Sequence, residues 1–111
     1  MIDVLTKEKM LNNINEIMDG KPSVAAYRKA AIYFFEENIN IDKALKWIDI
    51  AFKDSDDLPY WQLRYKALIY EKAGKINKAK KYAKKGYDLA LKGNIPDGIN
   101  TLRIINERLN N

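Results

Sequence analysis

The side chains that most often carry out catalysis are absent from this chain or unsuitably placed. Its 111 residues include no histidine and no cysteine, which removes the commonest general base and the thiolate nucleophile. Ser23 and Ser55 fall at predicted helix boundaries, where helix capping explains them. Glu36 and Glu37 are adjacent, and adjacent residues on a helix do not face each other, so their carboxylates would not converge on one proton or metal ion. The sequence therefore predicts a protein that is not an enzyme.

Cofactor and metal sites also find little support in the sequence. It contains neither of the glycine-rich phosphate-binding motifs nor the HExxH zinc motif. Asp54, Asp56 and Asp57 offer oxygen ligands that suit Ca²⁺, but this stretch lacks the glycine turn and the later glutamate of an EF-hand loop. An acidic turn between helices is usually solvated. We therefore predict no bound metal and no cofactor.

The densest charged feature is a run of lysines in the second half of the chain. Its members are Lys72, Lys75, Lys78, Lys80, Lys81, Lys84, Lys85 and Lys92. Together with a net charge of +5, this run could attract a polyanion. A nucleic-acid site would also need arginines and exposed aromatic rings for stacking, and Tyr82 and Tyr87 are the nearby candidates. Binding of nucleic acid is thus a less favoured alternative to a solvated helix face.

Helical periodicity runs through the whole chain, and the few glycines and prolines fall at its interruptions. The pattern predicts helices over about residues 6–18, 23–37, 42–53, 59–73, 77–91 and 95–110. Thr6, Ser23 and Asp42 are the predicted N-terminal caps of the first three. No apolar run reaches the roughly 18–20 residues that span a bilayer, and charges interrupt the N-terminal segment where a signal peptide would be apolar. As the chain stands we expect a cytoplasmic protein, or one of the cell envelope if it is a fragment of an exported protein.

Two stretches of the chain repeat each other about 35 residues apart. The residues in register are Ala31 with Ala67, Phe34 with Tyr70, Ala44 with Ala79, Ile48 with Ala83 and Ala51 with Gly86. A period near 34 residues, with small residues where helices must touch, is typical of helical-hairpin solenoids. We therefore predict one all-α domain over residues 1–111, with a first repeat at about 23–55, a second at about 59–92 and a capping helix at about 95–110.

These repeats resemble the tetratricopeptide repeat, in which the first helix carries large, small and aromatic residues and the second carries Ala-x3-large-x2-Ala. The matching residues are Tyr27, Ala30, Ala31, Phe34, Ala44, Ile48 and Ala51, then Leu63, Ala67, Tyr70, Ala79, Ala83 and Gly86. The first repeat departs from the pattern by one extra residue in its turn (38–40), and Lys66 stands where a leucine is typical. The resemblance implies two hairpins stacked as a right-handed superhelix, with an N-terminal helix before them.

The chain is also similar to the C-terminal repeat tail of an uncharacterised protein family common in Bacteroidetes. The matching residues are Ala30, Ala31, Tyr33, Glu37, Asn38, Ala44, Leu45, Trp47, Ile48, Ala51, Trp61, Leu63, Arg64, Lys66 and Ala67. On this likeness Lys66 is a family feature. The resemblance does not extend to the leading domain of those proteins, and it implies no established activity.

In tetratricopeptide folds the first helix of each repeat lines a concave groove. The resemblance implies that this groove is lined by Arg28, Ile32, Phe35, Glu36, Trp61, Arg64, Leu68, Glu71 and Lys72, and by Ala25 at the position equivalent to Trp61. Arginine and tryptophan are favoured at binding hot spots. Ile32, Trp61 and Tyr65 replace the polar residues of the clamp by which chaperone-binding repeats hold a carboxylate, so that ligand is not expected.

We therefore expect a non-catalytic scaffold that binds a protein or peptide in the groove, with Arg28 or Arg64 on a carboxylate. A terminal helix could instead cover the groove, which would make Phe35 and Trp61 core residues. Self-association into a homodimer through an exposed apolar patch is the main alternative function.

Overall fold

The computed structural model describes residues 4–53 and 59–111, and in these ranges the chain is all-helical. The helices are α1 (Val4–Asp19), α2 (Val24–Glu36), α3 (Ile41–Ala51), α4 (Tyr60–Lys72), α5 (Ile76–Lys92) and α6 (Pro96–Leu109). Their ends lie within two residues of the predicted ones, so the all-α prediction is confirmed. None of these helices is long and apolar enough to cross a membrane.

The turns after α2, α4 and α5 close in the same way. A residue with positive φ follows each helix: Asn38 at 55°, Gly74 at 80° and Asn94 at 52°. Glycine and asparagine tolerate this left-handed backbone best. The next N–H then returns to a carbonyl five residues earlier, in the bonds Ile39 to Phe34, Lys75 to Tyr70 and Ile95 to Ala90. This is the Schellman ending of a helix, and it reverses the chain into the next helix.

Two of the predicted helix caps need correction. The Ser23 hydroxyl accepts a bond from the Ala26 N–H at 3.1 Å, as predicted, but Thr6 lies inside α1 because that helix begins at Val4. Asn40, and not Asp42, caps α3, accepting from the Lys43 N–H at 3.3 Å. Asn40 is also the extra residue of the first repeat, since α3 begins one position later relative to its turn than α5 does.

Two buried clusters form the core. The first lies between α2 and α3 and is rich in large side chains: Ala30, Ala31, Phe34, Ala44, Trp47, Ile48 and Phe52, with Ile69 from α4. The second lies among α4, α5 and α6 and consists of Leu63, Ala67, Tyr70, Ala79, Tyr82, Ala83, Ala90, Leu102, Ile105 and Leu109. Leu45 packs against both. The predicted small residues Ala31, Ala44, Ala67, Ala79 and Ala83 are all buried.

Helix α6 packs on the second hairpin through its apolar face. Leu102, Ile105 and Leu109 are buried. The contact is close at Gly86, where a Cβ atom would lie 3.2 Å from both the Leu102 and Leu63 side chains. The outer surface of α6 is not wholly polar, however, because Ile104 is 56% exposed.

Candidate functional site

The nine residues predicted for the groove lie on two helices, and none of them is fully buried. Glu36 and Lys72 are exposed and the other seven are half-buried. Phe35 and Trp61 pack against the first core cluster from one side only. We call this surface the α2–α4 face: Arg28, Ile32, Phe35 and Glu36 on α2, and Trp61, Arg64, Leu68, Glu71 and Lys72 on α4.

Two contacts between a cation and an aromatic ring join the helices of the α2–α4 face. The Arg28 guanidinium lies 5.9 Å from the centre of the Trp61 ring. The Lys72 ammonium lies 5.1 Å from the centre of the Phe35 ring and donates to the Phe35 carbonyl at 3.4 Å. Because each contact crosses from α4 to α2, the predicted residues of the two repeats lie side by side.

The Trp61 ring is held between two partners. The centres of the Trp61 and Phe52 rings lie 6.0 Å apart with their planes at 90°, the edge-to-face geometry that aromatic pairs favour. Arg28 lies over the face of the Trp61 ring. A half-buried indole fixed in this way loses little freedom when it contacts a partner, which suits a binding anchor.

A third helix joins this surface through an ion pair that sequence reasoning missed. The Arg108 guanidinium of α6 donates two hydrogen bonds to the Glu71 carboxylate, from Nε to Oε2 at 2.8 Å and from Nη2 to Oε1 at 2.6 Å. The hydrogen bond to Glu71 raises the pKa of Arg108, against a smaller lowering by desolvation. Glu71 is therefore already neutralised within the protein.

The repeat spacing contains the signal that could have found Arg108. Phe35 contacts Lys72 across 37 residues, and Glu71 contacts Arg108 across the same 37 residues. Each residue of the second pair lies 36 positions after its counterpart in the first pair, which is the spacing of the repeat. Helix α6 therefore contacts α4 at positions equivalent to those at which α4 contacts α2.

A second polar cluster lies in a cavity of about 290 Å³ among α3, α4 and α5. Lys66 is only 2% exposed, and its ammonium lies 3.9 Å from an Asp49 carboxylate oxygen and 4.4 Å from the Tyr82 ring centre. The Tyr70 hydroxyl donates to the same carboxylate at 2.6 and 2.7 Å. A buried ammonium requires such partners. The polar contacts of the cluster therefore connect α3, α4 and α5.

The lysine-rich helix offers little stacking surface. Tyr82, one of the two aromatic residues expected beside the lysines, is buried, and Tyr87 is half-buried. Lys78 and Lys81 lie over Tyr70 and Tyr82, at 5.7 and 5.5 Å from the ring centres. These contacts do not favour the nucleic-acid alternative, because the rings face the protein core.

The acidic residues give no metal site within the described ranges, where no group of three His, Cys, Asp or Glu side chains is arranged to hold an ion. Glu36 is exposed, whereas the adjacent Glu37 pairs with Lys7 of α1 at 3.5 Å. Ser55 and the acidic residues Asp54, Asp56 and Asp57 lie outside the residues that the structure describes.

Comparisons with known proteins identify no relative of this chain. No protein-family model, curated protein or solved structure matches it significantly.

Proposed function

We propose that this protein is a non-catalytic scaffold that binds an acidic segment of another protein on its α2–α4 face. The proposed architecture is a right-handed stack of two tetratricopeptide-like hairpins, with α1 before them and α6 as the capping helix. The proposed mode of binding uses no metal and no cofactor.

The observation that carries the proposal is the repeated contact between successive first helices. The contact of Lys72 with Phe35 and that of Arg108 with Glu71 are equivalent. Each joins residues 37 apart, and the second lies one repeat after the first. This regularity supports a continuous surface over α2, α4 and α6, long enough for an extended or helical peptide.

The charges of this surface favour a partner with carboxylates. Glu71 is neutralised by Arg108. Within the described part of the chain, Arg28, Arg64 and Lys72 form no ion pair, and each lies over an aromatic ring, with Arg64 at 5.3 Å from the Tyr65 ring centre. Stacking on a ring orients a cation without neutralising its charge. Carboxylates of the partner would form ion pairs with these three cations.

Apolar contact would supply the rest of the affinity. Phe35 and Trp61 are half-buried beside the cations, and a partner that covers them removes their remaining surface from water. Tryptophan and arginine, both present on this face, are among the residue types enriched in binding hot spots.

The proposal can be tested with fluorescent peptides of defined composition. We expect an acidic peptide with spaced leucines to bind, and its amide counterpart, with Gln for Glu, to bind at least about 10-fold more weakly, since a hydrogen bond to a charged group is worth about 1.5–3 kcal/mol. The double variant Arg28→Glu/Arg64→Glu should lose binding.

The matched control is Lys75→Glu/Lys84→Glu, which makes the same change in net charge at exposed positions of the lysine run. It should keep at least half of the wild-type affinity. If the two double variants weaken binding equally, the attraction is a property of net charge and the α2–α4 face is not the site.

A further inference from the structure

A second surface of the molecule is an apolar cavity of about 470 Å³ between α1 and α2. Its walls include Met10, Ile14 and Ile17 of α1, and Ala25, Lys29 and Tyr33 of α2. Lys29 is the one charged residue among the described residues that line it. None of the nine residues of the α2–α4 face takes part. We call this surface the leading face.

The leading face is equivalent, by the repeat, to the side of α4 that packs against a hairpin. On α4, Trp61, Tyr65 and Ile69 pack against the first hairpin. The residues 36 positions earlier on α2 are Ala25, Lys29 and Tyr33, and these three line the cavity. The side of α2 that would meet a preceding hairpin is therefore covered only in part, by α1.

Exposed apolar residues mark the same end of the molecule. Ile17, in the cavity wall, is 55% exposed, and Val24, at the start of α2, is 63% exposed. Leu11, Ile14 and Met18 of α1 pack inward on the first core cluster. One apolar side of α1 thus packs against the core, and further apolar surface of this helix lies beside the cavity.

The last helix of the stack differs from the earlier first helices at one position of the repeat. Ala31 and Ala67 are fully buried where each first helix meets its hairpin partner, but the residue 36 positions after Ala67 is Arg103, which is exposed on α6. A long charged side chain at the position that needs a small residue disfavours close packing of a second helix against this side of α6. The uncovered apolar cavity lies at the leading end, so a contact between two leading faces is the association that we examine.

The charges of the leading end allow such a contact between identical copies. Helix α1 carries two lysines and three acidic residues, so two copies of it do not repel each other strongly. Helix α5, by contrast, carries six lysines and one aspartate, which makes its surface unsuited to pairing with itself. We propose that two copies of the chain form a symmetric dimer by packing their leading faces together, each copy supplying the helical surface that the other's cavity lacks.

Sedimentation velocity over a range of concentrations tests this proposal. We expect the wild type to show a dimer whose fraction rises with concentration. Ile17→Glu should raise the dissociation constant at least about 100-fold, because each dimer then buries two carboxylates in a largely apolar contact. The matched control is Ile104→Glu, since Ile104 is 56% exposed but lies on α6, and it should leave the dissociation constant unchanged.

Cross-linking provides a second measurement. Because the chain has no cysteine, a single Ile17→Cys substitution should give a disulfide-linked dimer under mild oxidation, and Ile104→Cys should not. A wild type that stays monomeric at about 1 mM overturns the proposal, as does equal dissociation by Ile17→Glu and Ile104→Glu. The Arg28→Glu/Arg64→Glu variant should dimerise normally, so this proposal and the peptide-binding proposal can fail separately.

Discussion

The two hairpins have the same backbone arrangement, but the side chains in their cores differ. The first is packed with large apolar side chains, including Phe34 and Trp47, whose rings lie 4.8 Å apart. The second has small residues at its helix contact and a buried lysine beside two tyrosines. The difference follows from their neighbours. The second hairpin must accept α6 closely at Gly86, whereas the first is bounded by α1 and an open cavity.

The largest expected effect comes from removing a large ring in the first hairpin. Phe34 is 2% exposed, and its ring packs against that of Trp47 at an interplanar angle of 56°. Phe34→Ala should lower the free energy of unfolding by about 3–5 kcal/mol, since a buried ring is replaced by a cavity. Urea unfolding followed by circular dichroism measures this. The control Ile104→Ala, at an exposed site, should change it by less than about 0.5 kcal/mol.

The same variant can show whether the two hairpins unfold together. Both tryptophans of the chain, Trp47 and Trp61, contact the first core cluster, so their fluorescence reports on the first hairpin. In Phe34→Ala we expect the fluorescence transition at a lower urea concentration than the transition in circular dichroism. Coincident transitions would show that the second hairpin does not persist without the first.

An intermediate effect is expected at the polar cluster between the two hairpins, to which α3, α4 and α5 contribute. Asp49→Ala removes the carboxylate that accepts from Tyr70 and faces Lys66. Because that carboxylate is 43% exposed, the loss should be about 1–2 kcal/mol, the lower part of the range for a hydrogen bond to a charged group. Asp49→Asn keeps an acceptor for Tyr70 and should cost less. Urea unfolding distinguishes the two.

The companion variant Lys66→Met tests whether the buried charge itself is stabilising. A flexible apolar side chain of similar length can fill the site without the cost of desolvating an ammonium. We therefore expect the free energy of unfolding to stay within about 1 kcal/mol of wild type or to rise. A loss larger than that of Asp49→Ala would show that the cluster stabilises the fold by its charge.

A similarly small effect is expected at Gly86, where α5 contacts both α4 and α6. In Gly86→Ala the added Cβ would meet Leu63 Cβ at 3.2 Å, an atom that cannot move without its helix. Overpacking costs about 1–3 kcal/mol, and the gain in helix propensity offsets about 1 kcal/mol of it. We expect a net loss of about 1 kcal/mol in urea unfolding. An increase in stability would mean that α4 and α6 pack more loosely around Gly86 than the structure shows.

Sequence reasoning predicted the helices well and the side-chain partners poorly. The apolar period and the turn residues Asn38, Gly74 and Asn94 are local signals, and they place the helix ends within two residues. Arg108 was missed because its partner Glu71 is 37 residues away and its own helix gives no sign of the contact. Lys66 was noticed only as a departure from a repeat pattern, and its burial was not expected.

The sequence by itself determined the helical hairpins, because the spacing of apolar residues and the turn chemistry act over a few residues. Only the tertiary structure decided which surfaces remain available. It leaves Trp61 half-buried between Phe52 and Arg28, and it leaves Ala25 in the wall of an open cavity. Both residues occupy the same repeat position, yet their surroundings differ, because exposure depends on which neighbouring hairpin is present and not on the residue's own helix.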